Sequence, residues 1–261
     1  MSAALVLALA LPLQGLSDRV AAAPDGEVRF TYATRAGVCG NGRGVISLEC
    51  EDGRCGRHRI SSGNDYDDDA ACPCEAGPAR VALRKRGGQV TRLRVYVGGA
   101  WSPAADAAAT DLGVVPAQAA SRYLLDLAAR APDGAGHDAV LPAILADSVT
   151  VWPDLLRLAR TATVARATRR SAVFWLGQAA GDAATRGLTE LLNDDSVDRD
   201  VKESAVFALS QRPREEGVPA LIRIARTHRD PDVRRKAIFW LGQSDDPRAL
   251  ALFEELLTKE R

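Results

Sequence analysis

The five cysteines are the most concentrated reactive side chains of the chain, because all of them lie between Cys39 and Cys74. In an oxidising compartment, clustered cysteines in a small loop-rich segment indicate disulfides that replace part of a hydrophobic core. We expect Cys39 to pair with Cys74 and Cys50 to pair with Cys55, which leaves Cys72 without a partner. Spacing alone does not fix connectivity, so these pairs are predictions.

A metal site is the alternative chemistry of the same segment. Four thiols, Cys50, Cys55, Cys72 and Cys74, would suffice for tetrahedral zinc, but their spacing is not a common zinc pattern and oxidation disfavours free thiolates. The acidic run at 65–69 offers carboxylates for calcium, from Asp65, Asp67, Asp68 and Asp69. It lacks the glycine and the distal glutamate of an EF-hand loop. We therefore predict disulfides and a solvated acidic loop, with no bound metal.

Acid–base or nucleophilic catalysis would need a positioned histidine, and the three histidines, His58, His137 and His228, lie in separate regions. His137 and Asp138 look like half of a phosphohydrolase metal motif whose other ligands are missing. An aspartate in the first turn of a helix explains the same residues. There is no phosphate-binding glycine loop and no nucleophile elbow. The sequence predicts neither an enzyme nor a cofactor.

The N-terminal segment is typical of a secretory signal. Residues 3–13 form an apolar run, shorter than the roughly 20 residues that cross a bilayer. Three alanines at 21–23 supply a small-residue cleavage site, although no basic residue precedes the run. A buried N-terminal helix is the alternative. We predict a signal peptide at 1–23, no membrane span, and a protein exported to the periplasm or beyond.

The next segment alternates in the manner of β-strands. Val28, Phe30 and Tyr32 are separated by polar residues, 45–48 is a second short candidate, and residues 80–86 and 90–97 alternate on either side of a Gly-Gly turn. This pattern predicts a small antiparallel β-domain over residues 24–100. Residues 101–137 are predicted to be a connector with one helix, which Pro116 opens.

A repeated block marks the last third of the chain. It reads SAVFWLGQ at 171–178, SAVFALSQ at 204–211 and KAIFWLGQ at 236–243, so it returns after 33 and then 32 residues. A second block, PDLLRLART at 153–161, returns as PALIRIART at 219–227, two repeat lengths later. Similarity at a fixed period predicts stacked helical pairs rather than one globular core.

Two of these units begin with Asp-Val and a basic residue, at 200–202 and 232–234, and an alanine follows three residues later. This pattern resembles the HEAT repeat, and the resemblance covers residues 138–261. It implies an α-solenoid, in which Asp200 and Asp232 are expected to cap helix starts. HEAT-like enzymes that bind di-iron carry His-Glu pairs, and none occurs here. The predicted fold class is α+β: a small antiparallel β-domain followed by a HEAT-type α-solenoid of about four helical pairs.

The resemblance implies a binding surface for other proteins. The candidate surface residues are arginines of the last repeats and the repeated tryptophans: Arg223, Arg226, Arg234, Arg235, Trp175 and Trp240. For the tryptophans, packing in the core is the preferred interpretation and a partner-facing role is the alternative. Charge is balanced at 34 basic and 34 acidic residues, which removes the simplest case for nucleic-acid or anionic-membrane binding.

We therefore predict a non-enzymatic protein–protein interaction or scaffold module of the cell envelope, with an unidentified protein partner and no nucleic acid. Two alternatives remain: a structural envelope component, and a nucleic-acid-binding HEAT-like protein.

Overall fold

The computed structural model describes residues 15–48, 50–51, 54–55, 59–61, 74–101, 109–132, 134–179 and 181–259. The strands are β1 (Gly26–Tyr32), β2 (Cys39–Gly40), β3 (Val45–Ser47), β4 (Cys50–Glu51), β5 (Arg54–Cys55), β6 (Arg59–Ser61), β7 (Glu75–Ala76), β8 (Ala79–Arg86), β9 (Gln89–Val97) and β10 (Ala109–Val114). The helices are α1 (Leu16–Ala22), α2 (Ala117–Arg130), α3 (Ala135–Ile144), α4 (Trp152–Arg160), α5 (Arg166–Gly177), α6 (Asp182–Asn193), α7 (Arg199–Ser210), α8 (Arg214–Thr227), α9 (Pro231–Gly242) and α10 (Pro247–Lys259). A β region followed by an array of helices confirms the predicted α+β class.

The main sheet has the strand order β10-β1-β8-β9, so β9 lies at an edge. β1, β8 and β9 are antiparallel, as their alternation predicts. Gly87 and Gly88 join β8 to β9 with φ angles of 58° and 75°, values that glycine adopts without strain. β10 pairs with β1 in parallel and replaces part of the predicted connector. Asp111 and Gly113 are weak strand formers, so the sequence pattern does not predict β10.

Alternation along the strands gives this sheet a buried face and a polar face. Phe30, Tyr32 and Leu83 have no exposed surface and point into the core. The opposite face of β9 carries Arg92 and Arg94, both exposed. Smaller sheets lie beside this one, with the orders β6-β3-β2-β7 and β4-β5.

Helix α1 packs as part of this fold. Leu16 and Val20 are buried in the core. Lys85 is only 2% exposed, and its Nζ donates to three carbonyl oxygens at the end of the helix, those of Val20 (2.7 Å), Ala21 (3.0 Å) and Ala23 (2.6 Å). The last carbonyls of a helix lack intrahelical partners and carry its negative dipole end, so a buried ammonium suits them. The apolar run of the predicted signal lies outside the described residues.

From α3 onward the helices follow one another as four pairs in sequence, α3–α4, α5–α6, α7–α8 and α9–α10, and α3 itself packs mainly against α2. The first helices of successive pairs pack side by side, and so do the second helices. The repeated alanine and leucine positions are fully buried where the pairs meet: Ala172, Ala205, Ala237, Leu176, Leu209 and Leu241. This arrangement confirms the predicted array of about four helical pairs.

The predicted caps are displaced by two residues. Asp200 and Asp232 lie in the first helical turns, and the N-cap residues are Asp198 and Asp230. The Asp230 carboxylate accepts the backbone N–H of Asp232 at 2.8 Å, whereas Asp198 makes no such cap bond. The carboxylate of Asp198 instead pairs with Arg169 of the preceding repeat at 2.5 Å, so the pattern marks an inter-repeat contact there.

The sheet and the array share one hydrophobic core. The buried hydroxyl of Tyr32 donates to the carbonyl oxygen of Pro142, where a proline inside α3 contributes no N–H to its helix. Ser121 on α2 donates to the carbonyl oxygen of Ala143 at 3.0 Å. Tyr123 packs edge-on against Phe30, and burial raises the pKa of the Tyr123 hydroxyl to about 12. α2 therefore lies between the sheet and the first helical pair.

A candidate interaction groove between the sheet and the helical array

The predicted disulfide between Cys39 and Cys74 is present, with a Cα–Cα distance of 5.3 Å. It removes Cys74 from the alternative zinc set. The register of β4 and β5 places Cys50 opposite Cys55, and their pairing stays a prediction. Cys72 lies outside the described residues, as do His58 and the acidic run. Among the residues that are described, no three potential metal ligands come together.

Most of the predicted arginine surface is engaged within the array. The contacts are Arg226 with Glu255, Arg235 with Asp232, and Arg234 with the carbonyl oxygen of His228. Arg223 differs, because its exposed side chain has no ion pair or hydrogen bond among the described residues. These partners make the basic run at 223–235 a salt-bridged surface and weaken the case for a phosphate-binding one.

The repeated aromatic residues divide between packing and exposure. Trp175 is 8% exposed and lies in the core. Trp240 is half-buried and contacts Phe207 of the preceding repeat, with ring centroids 4.9 Å apart. The rings that reach solvent are those of Phe174 and Phe239, which are 38% and 54% exposed. The tryptophans therefore mainly pack the array, and the neighbouring phenylalanines are its accessible aromatic side chains.

A groove of about 1250 Å³ lies between β9 and the first helices of the array. Residues 92–96 of β9 and residues 43–46 form its sheet side. The array side carries His137 and Asp138 of α3, Phe174 of α5 and Phe207 of α7. Small-molecule sites usually enclose roughly 300–1,000 Å³, so this space is large enough for a segment of a macromolecule.

The charged side chains that line the groove are mostly cationic. Arg43, Arg92, Arg94 and Arg170 line it, and all four are exposed. Within the described part of the chain, none of these guanidinium groups has an ion pair or hydrogen bond, and Asp138 is the one carboxylate among the lining residues. Elsewhere arginines cross-link neighbouring repeats, as in the 2.8 Å pairs Arg160–Glu190 and Arg166–Asp200.

The polar face of the sheet extends this positive surface. Arg84 on β8 stands directly opposite Arg92 on β9, and like charges facing each other across strands are destabilising. Glu27 faces Arg84 from the other side, but no ion pair forms among the described side chains of this rung. Arg80 on the same face is held by three carbonyl oxygens, at 2.6–3.0 Å. A second hollow of about 790 Å³ shares Arg92 and Arg94 with the groove.

His137 and Asp138 lie where α3 meets the groove. Partial burial of the Asp138 carboxyl raises its pKa, although His137 and Arg92 lie close enough to oppose the shift. The His137 ring lies 3.4 Å from the carbonyl oxygen of Ala167 on α5. These contacts suit a helix start that docks on its neighbour. In the part of the chain that the structure describes, they bring no second carboxylate and no metal-ligand set to the two residues.

The groove arginines were not singled out from the sequence. Arg92 and Arg94 read as the polar positions of an alternating strand, and Arg170 as a surface position of a helix. One signal was available: Arg84, Arg92 and Arg94 fall on one face of the predicted hairpin without a matching set of acidic residues. Their approach to α5 depends on tertiary packing, which the hairpin pattern does not encode.

Comparison with known families supports the assignment of the helices. The family described as HEAT repeats matches residues 196–261, which contain α7 to α10. Comparison with curated proteins gives no match. None of the described helices is both long and apolar enough to cross a membrane. The geometry of the pairs and the family match agree, and the C-terminal part of the chain is a HEAT-type repeat array.

Proposed function

We propose that this protein is a non-enzymatic interaction scaffold of the cell envelope, and that it binds a protein partner in the groove between β9 and the HEAT-type array. HEAT repeats commonly mediate protein–protein interaction, and solenoids offer extended surfaces for it. The Cys39–Cys74 disulfide is compatible with an oxidising compartment outside the cytosol.

The observation that carries the proposal is the contrast between the arginines. Those of the array mostly have carboxylate partners, whereas Arg43, Arg92, Arg94 and Arg170 converge on one open groove without them. A surface that accepts like-charge repulsion without internal compensation gains stability when an anionic partner covers it. The Phe174 ring, 38% exposed, and the more buried Phe207 ring lie beside these charges and supply apolar contact area of the kind enriched at interfaces.

Site-specific photocrosslinking tests this function in cells that make the protein. A photoreactive phenylalanine analogue replaces Phe174 in the groove, and in a control it replaces Leu250, which is 58% exposed on α10. We expect one reproducible protein adduct from position 174 and none from position 250. Adducts only to nucleic acid, or equal adducts from both positions, would contradict the proposal.

A further inference from the structure

The free edge of β9 is the second unusual feature of the groove. The carbonyl oxygen of Val97 accepts the N–H of Gly42 at 2.9 Å, and Gly42 does not belong to β8. The backbone groups of Val97 therefore face away from β8. Because backbone direction alternates along a strand, those of Leu93 and Val95 face the same way.

These edge groups have no partner strand: Val95 is partly exposed, whereas Leu93 is only 4% exposed. No described residue donates a hydrogen bond to Leu93 or Val95, or accepts one from them, on the side away from β8. Both residues line the groove. Natural proteins usually cover or blunt such an edge, because unpaired N–H and C=O groups pair readily with an incoming strand.

Charge complementarity specifies the incoming strand. Arg92 and Arg94 lie on one face of β9, two residues apart, and Arg84 stands beside them on β8. Side chains at alternate positions of an added strand share a face and meet those of the edge strand across the pair. Acidic residues at every second position would therefore face Arg92 and Arg94, and the residues between them would face the apolar side of β9.

We infer that the groove binds an extended segment of a protein partner, with acidic residues at alternate positions, as an additional strand on β9. This inference rests on the proposed function and names the chemistry of the partner. Main-chain hydrogen bonds to Leu93 and Val95 would provide affinity, and the arginines would select acidic side chains. Arg170 and Phe174 would contact the segment from the array side of the groove.

The binding test uses the full chain and two labelled octapeptides of the same composition, one alternating Glu and Val and one with four Glu followed by four Val. Fluorescence anisotropy should show at least about tenfold tighter binding of the alternating peptide, with affinity falling as salt is raised. Equal affinity for the two peptides would overturn the inference, because charge alone would then account for binding.

Charge-reversed variants locate the site. Arg94→Glu should weaken binding of the alternating peptide by about tenfold or more, because attraction becomes repulsion. Arg223→Glu is the matched control, since Arg223 is also exposed and unpaired among the described residues, and it should change affinity less than twofold. Loss of binding in the control alone would overturn the proposed site. Thermal melting checks that both variants fold.

Hydrogen exchange distinguishes strand pairing from simple charge attraction, because only pairing protects backbone amides. The amides of Leu93 and Val95 should become protected when the alternating peptide binds. Binding without this protection would contradict strand addition. Single-stranded DNA of equal charge should compete poorly, and equally tight competition by DNA would favour a nucleic-acid ligand instead.

Two further outcomes distinguish failure of the added-strand inference from failure of the proposed scaffold function. Peptide binding that appears only after Asp65, Asp67, Asp68 and Asp69 are replaced by Asn would overturn the inference, because the chain's own acidic run would be the occupant. A protein adduct at position 174 without selection for the alternating peptide would leave the scaffold function standing and reject only the added strand.

Discussion

Arg212 reaches back from the turn after α7 to the end of α5, where its Nη1 donates to the carbonyl oxygen of Gly177 at 3.1 Å. The same guanidinium donates to the carbonyl oxygens of Ala179 and Gly181 and to the side chains of Thr185 and Glu216. All of its N–H groups are thus used on neighbouring structure, and one buried side chain fixes the turn between α5 and α6.

Replacing this side chain should loosen that turn. Arg212→Met leaves the carbonyl oxygens of Gly177, Ala179 and Gly181 without this donor, and Glu216 keeps only the Thr185 hydroxyl. We expect the substitution to lower the free energy of unfolding by about 3 kcal/mol. Urea unfolding measures the loss, and hydrogen exchange should rise first around residues 177–185. Arg223→Met is the control and should change stability by less than about 0.5 kcal/mol. Equal effects of the two substitutions would refute this role for Arg212.

The two tryptophans of the repeated block should differ in their effect on stability. Trp175→Ala removes a buried ring and should cost about 4 kcal/mol. Trp240→Ala should cost about 2 kcal/mol, because half-burial scales down the same loss. Thermal and urea unfolding of both variants compare these values. In the second variant, hydrogen exchange should show α9 and α10 opening before the rest of the array, and uniform opening would contradict this expectation.

Acid should weaken the ion pair at the start of the last helix, α10. Arg248 donates to the Asp246 carboxylate, with Nη2 and Oδ2 2.7 Å apart, and this pairing lowers the pKa of Asp246 to about 2 from an ordinary 3.8. Because the folded pKa is lower, the stabilisation is complete above the ordinary pKa and is lost as the pH falls through about 2.

Asp246→Asn should therefore reduce the dependence of stability on pH between about 4 and 2. Urea unfolding at stepped pH measures that slope. Asp245→Asn, at the exposed neighbouring position, is the control and should keep the wild-type slope. An unchanged slope in the Asp246 variant would show that this ion pair is not linked to unfolding.

The contact between Lys85 and α1 predicts where processing is tolerated. A chain that begins at Pro24 lacks the Val20 and Ala21 carbonyls that hold the buried ammonium, and it also lacks Leu16. We expect it to be less stable than a chain that begins at Gly15 by at least about 2 kcal/mol. Urea unfolding compares the two. This contact argues against the cleavage predicted after residue 23. Intact-mass analysis of protein recovered from the envelope should place any cleavage before Leu16, and a mature N-terminus at Pro24 would instead support the signal predicted at 1–23.

Peptide mapping under non-reducing conditions tests the remaining cysteines. The register of β4 and β5 brings Cys50 opposite Cys55. Directly opposite residues of antiparallel strands have Cα atoms about 4.5–5.5 Å apart, a separation that a disulfide can span. We expect this pair to be linked and Cys72 to be the one residue that an alkylating reagent modifies. Alkylation of both Cys50 and Cys55 in the folded, unreduced protein would refute the pairing.

Local patterns predicted much of this fold. The helices within each 33-residue repeat are set by interactions a few residues apart in sequence. The same is true of the Gly-Gly turn between the alternating segments. β10 was missed because its pairing with β1 joins residues more than 80 positions apart, such as Val28 and Thr110, and its composition is poor in strand formers.

The groove could not be predicted for a related reason. Arg94 on a strand and Arg170 on a helix become neighbours of one cavity only because α3 packs against β9. No periodicity relates these two residues. The same packing explains why Trp175 and Trp240, equivalent in sequence, differ in burial: Trp175 has a further repeat after its own, and Trp240 lies in the last described pair.

The hydrogen bond between Tyr32 and Pro142 also sets the direction in which the helical array unfolds. A row of coupled units melts from whichever boundary is free, and here one boundary is anchored to the sheet through a shared core. Among the described residues the opposite boundary is α10, where Leu257 is 72% exposed. Heating should therefore shorten the ordered array one helical pair at a time towards α3. The groove, which lies beside the anchored boundary, should be the last part of the array to lose its shape.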